Sequence, residues 1–132
     1  MRRTLLLAAL LAAAPALADP PMSAEAFERY ATGKTLFFGK AGIAYGAEQY
    51  LPGRRVIWTF LDGDCQHGEW YEAGGQICFV YEARPDTPQC WSFFDGPGGL
   101  TARFENDPEA TQLVEVEQSP EPLLCPGPEV GV

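Results

Sequence analysis

From Thr35 onward, short runs of aromatic and β-branched residues alternate with turn-forming residues about every eight to twelve positions, a spacing typical of an all-β sandwich or barrel. Connections as short as these favour neighbouring antiparallel strands. The predicted strands are Thr35–Phe38, Tyr45–Leu51, Arg55–Leu61, Gln66–Glu72, Gln76–Glu82, Gln89–Phe94, Leu100–Glu105 and Leu113–Glu117. We therefore predict a mainly β fold, a single antiparallel meander of seven or eight strands that forms a closed or nearly closed, lipocalin-like barrel.

One short N-terminal helix is predicted before the strands, over residues 23–32. Ser23 is a suitable N-cap and Gly33 a suitable terminator. Phe27 and Tyr30 lie three positions apart and therefore share one face of this helix. We expect that face to plug the end of the barrel or cover a sheet edge rather than to bind a partner.

The first 18 residues have the pattern of a secretory signal peptide. Arg2 and Arg3 precede an apolar run too short to span a membrane, and an A-x-A triplet ends at Ala18. Twin-arginine export is the alternative, but the surrounding residues match its motif poorly. We expect cleavage near Ala18, no membrane span, and release of a β-barrel-like domain at 19–118 into the periplasm or the medium.

The charge of the chain excludes one class of partner. Without residues 1–18, seven Lys and Arg stand against 18 Asp and Glu, a formal net charge of −11. Such a protein repels the phosphates of nucleic acids and anionic lipid headgroups, so we expect no nucleic-acid binding. Solubility outside the cytoplasm accounts for the acidity, with a basic partner as the alternative.

The hairpin registers follow from the turn residues. Glycines at 74–75 predict a two-residue turn that sets Trp70 opposite Phe79, and a symmetric next loop sets Cys78 opposite Cys90. The residues that then share one core face are Trp70, Ile77, Phe79, Trp91 and Phe93, extended by Leu100, Ala102 and Phe104.

The strand RVIWTFL is apolar on both faces, so its orientation depends on the turn that follows. A three-residue turn at 63–65 directs Val56, Trp58 and Phe60 inward, whereas a two-residue turn reverses them. We expect the three-residue turn.

Four cysteines in a short exported chain predict two disulfides, for which three connectivities are possible. Cys78 and Cys90 face each other in adjacent strands and form the expected first pair. By elimination, Cys65 pairs with Cys125 and tethers the Pro-rich tail at 119–132. The cysteine spacings fit neither a C-x-x-C redox pair, nor haem attachment, nor a zinc site.

Metal and catalytic motifs are scarce. His67 and Glu69 are the candidate metal ligands, but the nearby aspartates belong to a turn and the calcium-loop pattern is missing. Ser92 is the serine that could join His67 in a triad, yet no G-x-S-x-G elbow exists. We expect no metal, no cofactor and no enzymatic activity.

The large aromatic side chains are the remaining indication of a site. Trp58, Trp70, Trp91 and Phe79 either fill the interior of a small barrel or line an apolar ligand pocket at its mouth.

Four ordered elements carry a family resemblance: Gly63-x-Cys65, Gly68-x-Trp70, Ile77 to Tyr81 as I-C-F-x-Y, and Cys90 to Phe93 as C-W-x-F. Over roughly residues 33–105 the chain resembles short secreted bacterial proteins of unknown function. The resemblance implies export and a cysteine-bearing domain. It implies no activity, substrate or catalytic residue.

These observations favour a non-catalytic periplasmic binding or envelope-associated module, whose partner is a small apolar ligand or an envelope protein. An alternative is a secreted inhibitor or protein-interaction domain that uses the exposed loop Arg84–Pro88. A hydrolase is the third hypothesis.

Overall fold

The computed structural model describes residues 12–14 and 19–125, and in this part of the chain one helix precedes eight strands. The elements are α1 (Ala24–Ala31), β1 (Thr35–Lys40), β2 (Ile43–Leu51), β3 (Arg55–Thr59), β4 (Gln66–Ala73), β5 (Gln76–Tyr81), β6 (Gln89–Phe94), β7 (Thr101–Phe104) and β8 (Leu113–Ser119). Each strand pairs with the next, and β1 pairs with β8. The predicted antiparallel meander is confirmed as a closed barrel, which removes the unpaired edges of an open sheet.

The registers decide which side chains enter the barrel. Trp70 pairs with Phe79 and Cys78 with Cys90, as predicted. The predicted three-residue turn at 63–65 is wrong, because β3 ends at Thr59 and β4 begins only at Gln66.

The prediction that the side chains of Val56, Trp58 and Phe60 face inward is nevertheless correct. Trp58 pairs with Gln66. The predicted turn would have paired Trp58 with Trp70, so the observed register differs from the predicted one by four positions, an even number. Side chains alternate with a period of two, so an even shift leaves the same residues inside. Val56 is buried, and Trp58 and Phe60 line the interior.

Helix α1 plugs one end of the barrel, as expected. Ser23 caps the helix by accepting a hydrogen bond from the backbone N–H of Ala26 at 3.1 Å. Phe27 is fully buried, and its ring stacks on that of Phe93 at 4.4 Å between centroids. Three further rings lie edge-on to Phe27, those of Tyr50, Trp70 and Phe79.

Polar contacts anchor the helix at this closed end. The Tyr30 hydroxyl donates to the carboxylate of Glu115 on β8, at 2.6 Å from Oε2 and 2.9 Å from Oε1. The Arg54 guanidinium contacts Glu28 of the helix at 3.1 Å and also stacks over a tryptophan of β4. The plug is therefore attached to both the β2–β3 turn and β8.

Both predicted disulfides are confirmed, Cys78–Cys90 between β5 and β6 and Cys65–Cys125 between the β3–β4 loop and the tail. Residues 120–125 cross the outside of the barrel. Thr35 donates its hydroxyl to the Glu121 carbonyl at 2.7 Å, and the Leu123 N–H donates to the Gln49 side chain at 3.1 Å. Two disulfides indicate an oxidising compartment.

Two sequence predictions concern residues outside the described ranges. The signal peptide at 1–18 falls largely on residues 1–11 and 15–18, and the end of the tail falls on 126–132. Within the ranges that are described, no helix has the length and apolar character needed to cross a membrane.

Candidate functional site

A cavity of about 370 Å³ occupies the half of the barrel that α1 leaves open. It opens at the end formed by the β1–β2, β3–β4, β5–β6 and β7–β8 connections. Its walls are mainly aromatic. The lining residues are Phe38, Lys40, Tyr45, Glu48, Tyr50, Trp58, Phe60, Gln66, Phe79, Tyr81, Gln89, Trp91, Phe93, Ala102, Phe104, Ala110, Thr111 and Leu113. The volume is at the lower end of the range of about 300–1,000 Å³ that is usual for small-molecule sites.

Two glycines allow the cavity rings to lie against the wall. A Cβ at Gly46 would overlap the outer ring of Trp58, and a Cβ at Gly68 would overlap the Val80 carbonyl and crowd the Tyr81 ring. A larger residue at either glycine would displace these rings from the wall. With glycine there, the centre of the open half of the barrel stays empty of side chains.

Aromatic side chains form the lip of the cavity. The rings of Tyr45, Trp58 and Phe60 contact one another with centroids 5.3 to 6.3 Å apart. Trp91 and Phe104 form a second pair at 4.8 Å. Tyr45 and Phe60 are about half exposed, which is unusual for rings of this size and places apolar surface at the entrance.

Glu48 is the one carboxylate among the described residues that line the cavity. It lies on the inner face of β2, is only 2% exposed, and accepts a hydrogen bond at Oε1 from the Tyr81 hydroxyl at 2.9 Å. Its other oxygen, Oε2, is buried and has no hydrogen-bond partner among residues 12–14 and 19–125. An unpaired buried polar group costs about 1–3 kcal/mol, so this atom indicates a missing partner.

Burial raises the pKa of Glu48 well above its ordinary value, while the hydrogen bond from Tyr81 opposes this shift. Burial also raises the pKa of Tyr81 and of Tyr50, and the nearby Glu48 carboxylate adds to both shifts. Both phenols therefore stay protonated at neutral pH, and Tyr81 remains a donor. The arrangement can bind a small molecule that is apolar over most of its surface and polar at one point.

The structure places three of the four predicted pocket residues in the cavity lining. Trp58, Phe79 and Trp91 line the cavity, whereas Trp70 does not. Trp70 packs at the closed end instead, because α1 fills that half and the Arg54 guanidinium covers the ring at 4.4 Å.

Sequence reasoning missed Glu48 as a site residue. The signal was present in the strand IAYGAEQYL, where the inward positions of β2 include Glu48 and Tyr50. A single carboxylate on an otherwise buried face indicates either a paired charge or a ligand contact.

The other candidates do not assemble into a site. His67 and Glu69 are exposed on β4, and no group of three or more His, Cys, Asp or Glu side chains within the described ranges could hold a metal ion. Ser92 is buried in β6, with β5 between it and β4. The loop Arg84–Pro88 is largely exposed at the open end, and its role in protein interaction stays a prediction.

Comparisons with models of protein families, with curated proteins and with solved structures found no match. The resemblance to short secreted bacterial proteins and the likeness to lipocalins therefore stay predictions.

Proposed function

We propose that the protein is an exported, non-catalytic binding module that holds a small, largely apolar molecule inside its barrel. The observation that carries this proposal is the aromatic cavity of about 370 Å³, lined by Glu48, one buried oxygen of which has no hydrogen-bond partner among the residues that the structure describes. A barrel built only for stability would fill this volume, because interiors normally pack to the density of organic crystals.

The proposed location is the periplasm or the extracellular medium. The signal-like pattern of residues 1–18 supports export, and the two disulfides support an oxidising destination. The acidic surface is compatible with a free protein that avoids nucleic acids and anionic lipids.

A fluorescence titration with N-phenyl-1-naphthylamine tests the proposal, because this neutral aromatic probe brightens in an apolar site. We expect saturable, one-to-one binding by the protein recovered from a bacterial periplasm. Ala110→Trp, at the exposed rim of the cavity, should weaken binding strongly, whereas Ala73→Trp, exposed near the closed end, should not. Binding that is absent, or that both variants leave unchanged, would contradict the proposal.

A further inference from the structure

We propose that the molecule held in the cavity is a small organic cation, an alkyl- or arylalkylammonium, whose nitrogen pairs with Oε2 of Glu48 among the aromatic rings. This inference rests on the proposed function, because it names the ligand class for the same cavity.

The two oxygens of the Glu48 carboxyl group differ in their hydrogen bonding, and only one of them is proposed to bind a charged ligand. Tyr81 donates to Oε1, and a hydroxyl donor favours the ionised form of a carboxyl group. Oε2 is buried and has no partner in the described part of the chain, and Glu48 is one of the residues that line the cavity. An ammonium N–H donor at Oε2 would complete the hydrogen bonding of this group and supply the opposite charge.

The rings around Glu48 also favour positive charge. Trp58 is the cross-strand partner of Glu48, which brings their Cβ atoms to about 4.5–5.5 Å on the inner face. Tyr50 and Tyr81 line the same cavity. The face of an aromatic ring attracts a cation, most strongly for tryptophan and when water is excluded.

Other ligand charges fit less well. An anion would be repelled by the ionised form of Glu48, and Lys40, the one cationic side chain among the described lining residues, is exposed at the mouth. A neutral ligand could accept a hydrogen bond from the protonated Glu48 carboxyl group but would gain nothing from the affinity of the ring faces for positive charge. The overall negative charge of the chain also draws cations toward it.

Below the pKa that Glu48 has without a ligand, binding of such a cation releases a proton. Without a ligand, burial raises the pKa of Glu48, which favours the protonated carboxyl group. When the ammonium enters, it keeps its own protons, Glu48 loses its proton to solvent, and the products are the ion pair and one free proton. The affinity for the cation therefore rises with pH until Glu48 is ionised without a ligand.

Few other groups can contribute to this pH dependence. Besides Glu48, the ionisable side chains of the described residues that reach the interior are Lys40 from β1, Tyr45 and Tyr50 from β2, Tyr81 from β5 and Glu115 from β8. The lining residues contributed by β3, β4, β6 and β7 carry no ionisable group. Glu115 is already engaged by the Tyr30 hydroxyl and by the Leu100 N–H.

Isothermal titration calorimetry with 2-phenylethylammonium and its neutral isostere 2-phenylethanol tests this inference. At neutral pH we expect the wild-type protein to bind the ammonium at least about tenfold more tightly than the alcohol. Glu48→Gln should abolish this preference for the ammonium and should still bind the alcohol. The wild-type affinity for the ammonium should rise with pH, and heats measured in buffers of different ionisation enthalpy should show proton release.

Tyr81→Phe is the second variant, and it decides the question if Glu48→Gln does not fold. Because it removes the hydrogen bond to Oε1 and keeps the carboxyl group, the pH at which affinity levels off should move upward. Equal affinities for the ammonium and the alcohol, or an unchanged pH profile in Tyr81→Phe, would overturn the inference. If N-phenyl-1-naphthylamine binds in the cavity without any preference for the ammonium, only this inference fails; if no probe binds, the proposed function fails as well.

Discussion

The Tyr81 hydroxyl donates a 2.9 Å hydrogen bond to Oε1 of Glu48 and thereby links β5 to β2 across the inside of the barrel. The two residues lie 33 positions apart in the chain and meet in an interior that is otherwise mostly apolar. A packed core has no need of a carboxyl group there, since burying one is costly unless it is paired. The contact fixes one oxygen of Glu48, and the other oxygen is buried without a hydrogen-bond partner in the described part of the chain.

The free energy of unfolding should depend on pH in a way that reflects the titration of Glu48. Folding raises the pKa of this group above its ordinary value of 4.5, so the folded protein holds the proton more tightly than the unfolded chain. The resulting stabilisation is complete below about pH 4.5 and is lost as the pH rises toward the folded pKa, with a slope of up to about 1.4 kcal/mol per pH unit. Urea unfolding of the wild-type protein and of Glu48→Gln at several pH values measures this stabilisation. The wild-type-minus-variant difference should fall with rising pH; a constant or rising difference would exclude this assignment.

The aromatic plug should contribute much of the stability of the closed end. Phe27→Ala removes a fully buried ring that contacts four others, and we expect a loss of about 3–5 kcal/mol in the free energy of unfolding. Tyr71→Ala, which truncates a ring 40% exposed on β4, serves as the control and should change it by only about 0.5 kcal/mol. Similar losses in the two variants, measured by chemical denaturation, would argue against the plug.

Gly99 should be required for the Glu115 contact. Its φ of 115° is disfavoured for other residues, and a Cβ there would overlap the carboxylate that holds Tyr30. We expect Gly99→Ala to destabilise the protein by about 1–3 kcal/mol.

Gly98 is the matched control for this glycine, because its φ is not in the left-handed region and its Cβ would meet no atom within 4 Å. Gly98→Ala should have little effect. Equal thermal unfolding temperatures for the two variants would show that the backbone at Gly99 is not constrained as the structure indicates.

The two disulfides should be separable by their effects. Replacing Cys65 and Cys125 by serine removes a closure over 60 residues, worth about 4 kcal/mol on the loop-entropy model, and should expose residues 120–125 to proteases while the barrel persists. Replacing Cys78 and Cys90 removes a closure over 12 residues, worth about 3 kcal/mol, and should leave the tail protected. Limited proteolysis followed by mass mapping distinguishes them, and a tail cut equally fast in both variants would contradict the tether.

Much of the fold could be predicted because the barrel depends on local signals. The glycines at 74–75 set the β4–β5 register, and a symmetric β5–β6 loop then set Cys78 opposite Cys90. The β3–β4 connection was mispredicted because Gly63 and the aspartates beside it suit several loop lengths equally well. The direction of Trp58 remained correct only because the error in register was even.

The candidate site was harder to predict from the sequence than the fold. Whether an inward ring fills the core or lines a cavity depends on where α1 packs, which is a tertiary property. Trp70 and Trp58 both face inward, and only the position of Phe27 separates their roles. Glu48 was overlooked because a glutamate in an acidic chain carries no signal until its neighbours in the barrel are known.

Binding of a small molecule in the open half of the barrel is tested most directly by ¹⁹F NMR of the protein labelled with 5-fluorotryptophan. Trp58 and Trp91 line the cavity, whereas Trp70 packs against the plug, so the three resonances, assigned by single Trp→Phe variants, report on different places. During titration with N-phenyl-1-naphthylamine, we expect saturable shifts at Trp58 and Trp91 and little change at Trp70. Unchanged resonances at Trp58 and Trp91, or shifts as large at Trp70, would show that the cavity is not the binding site.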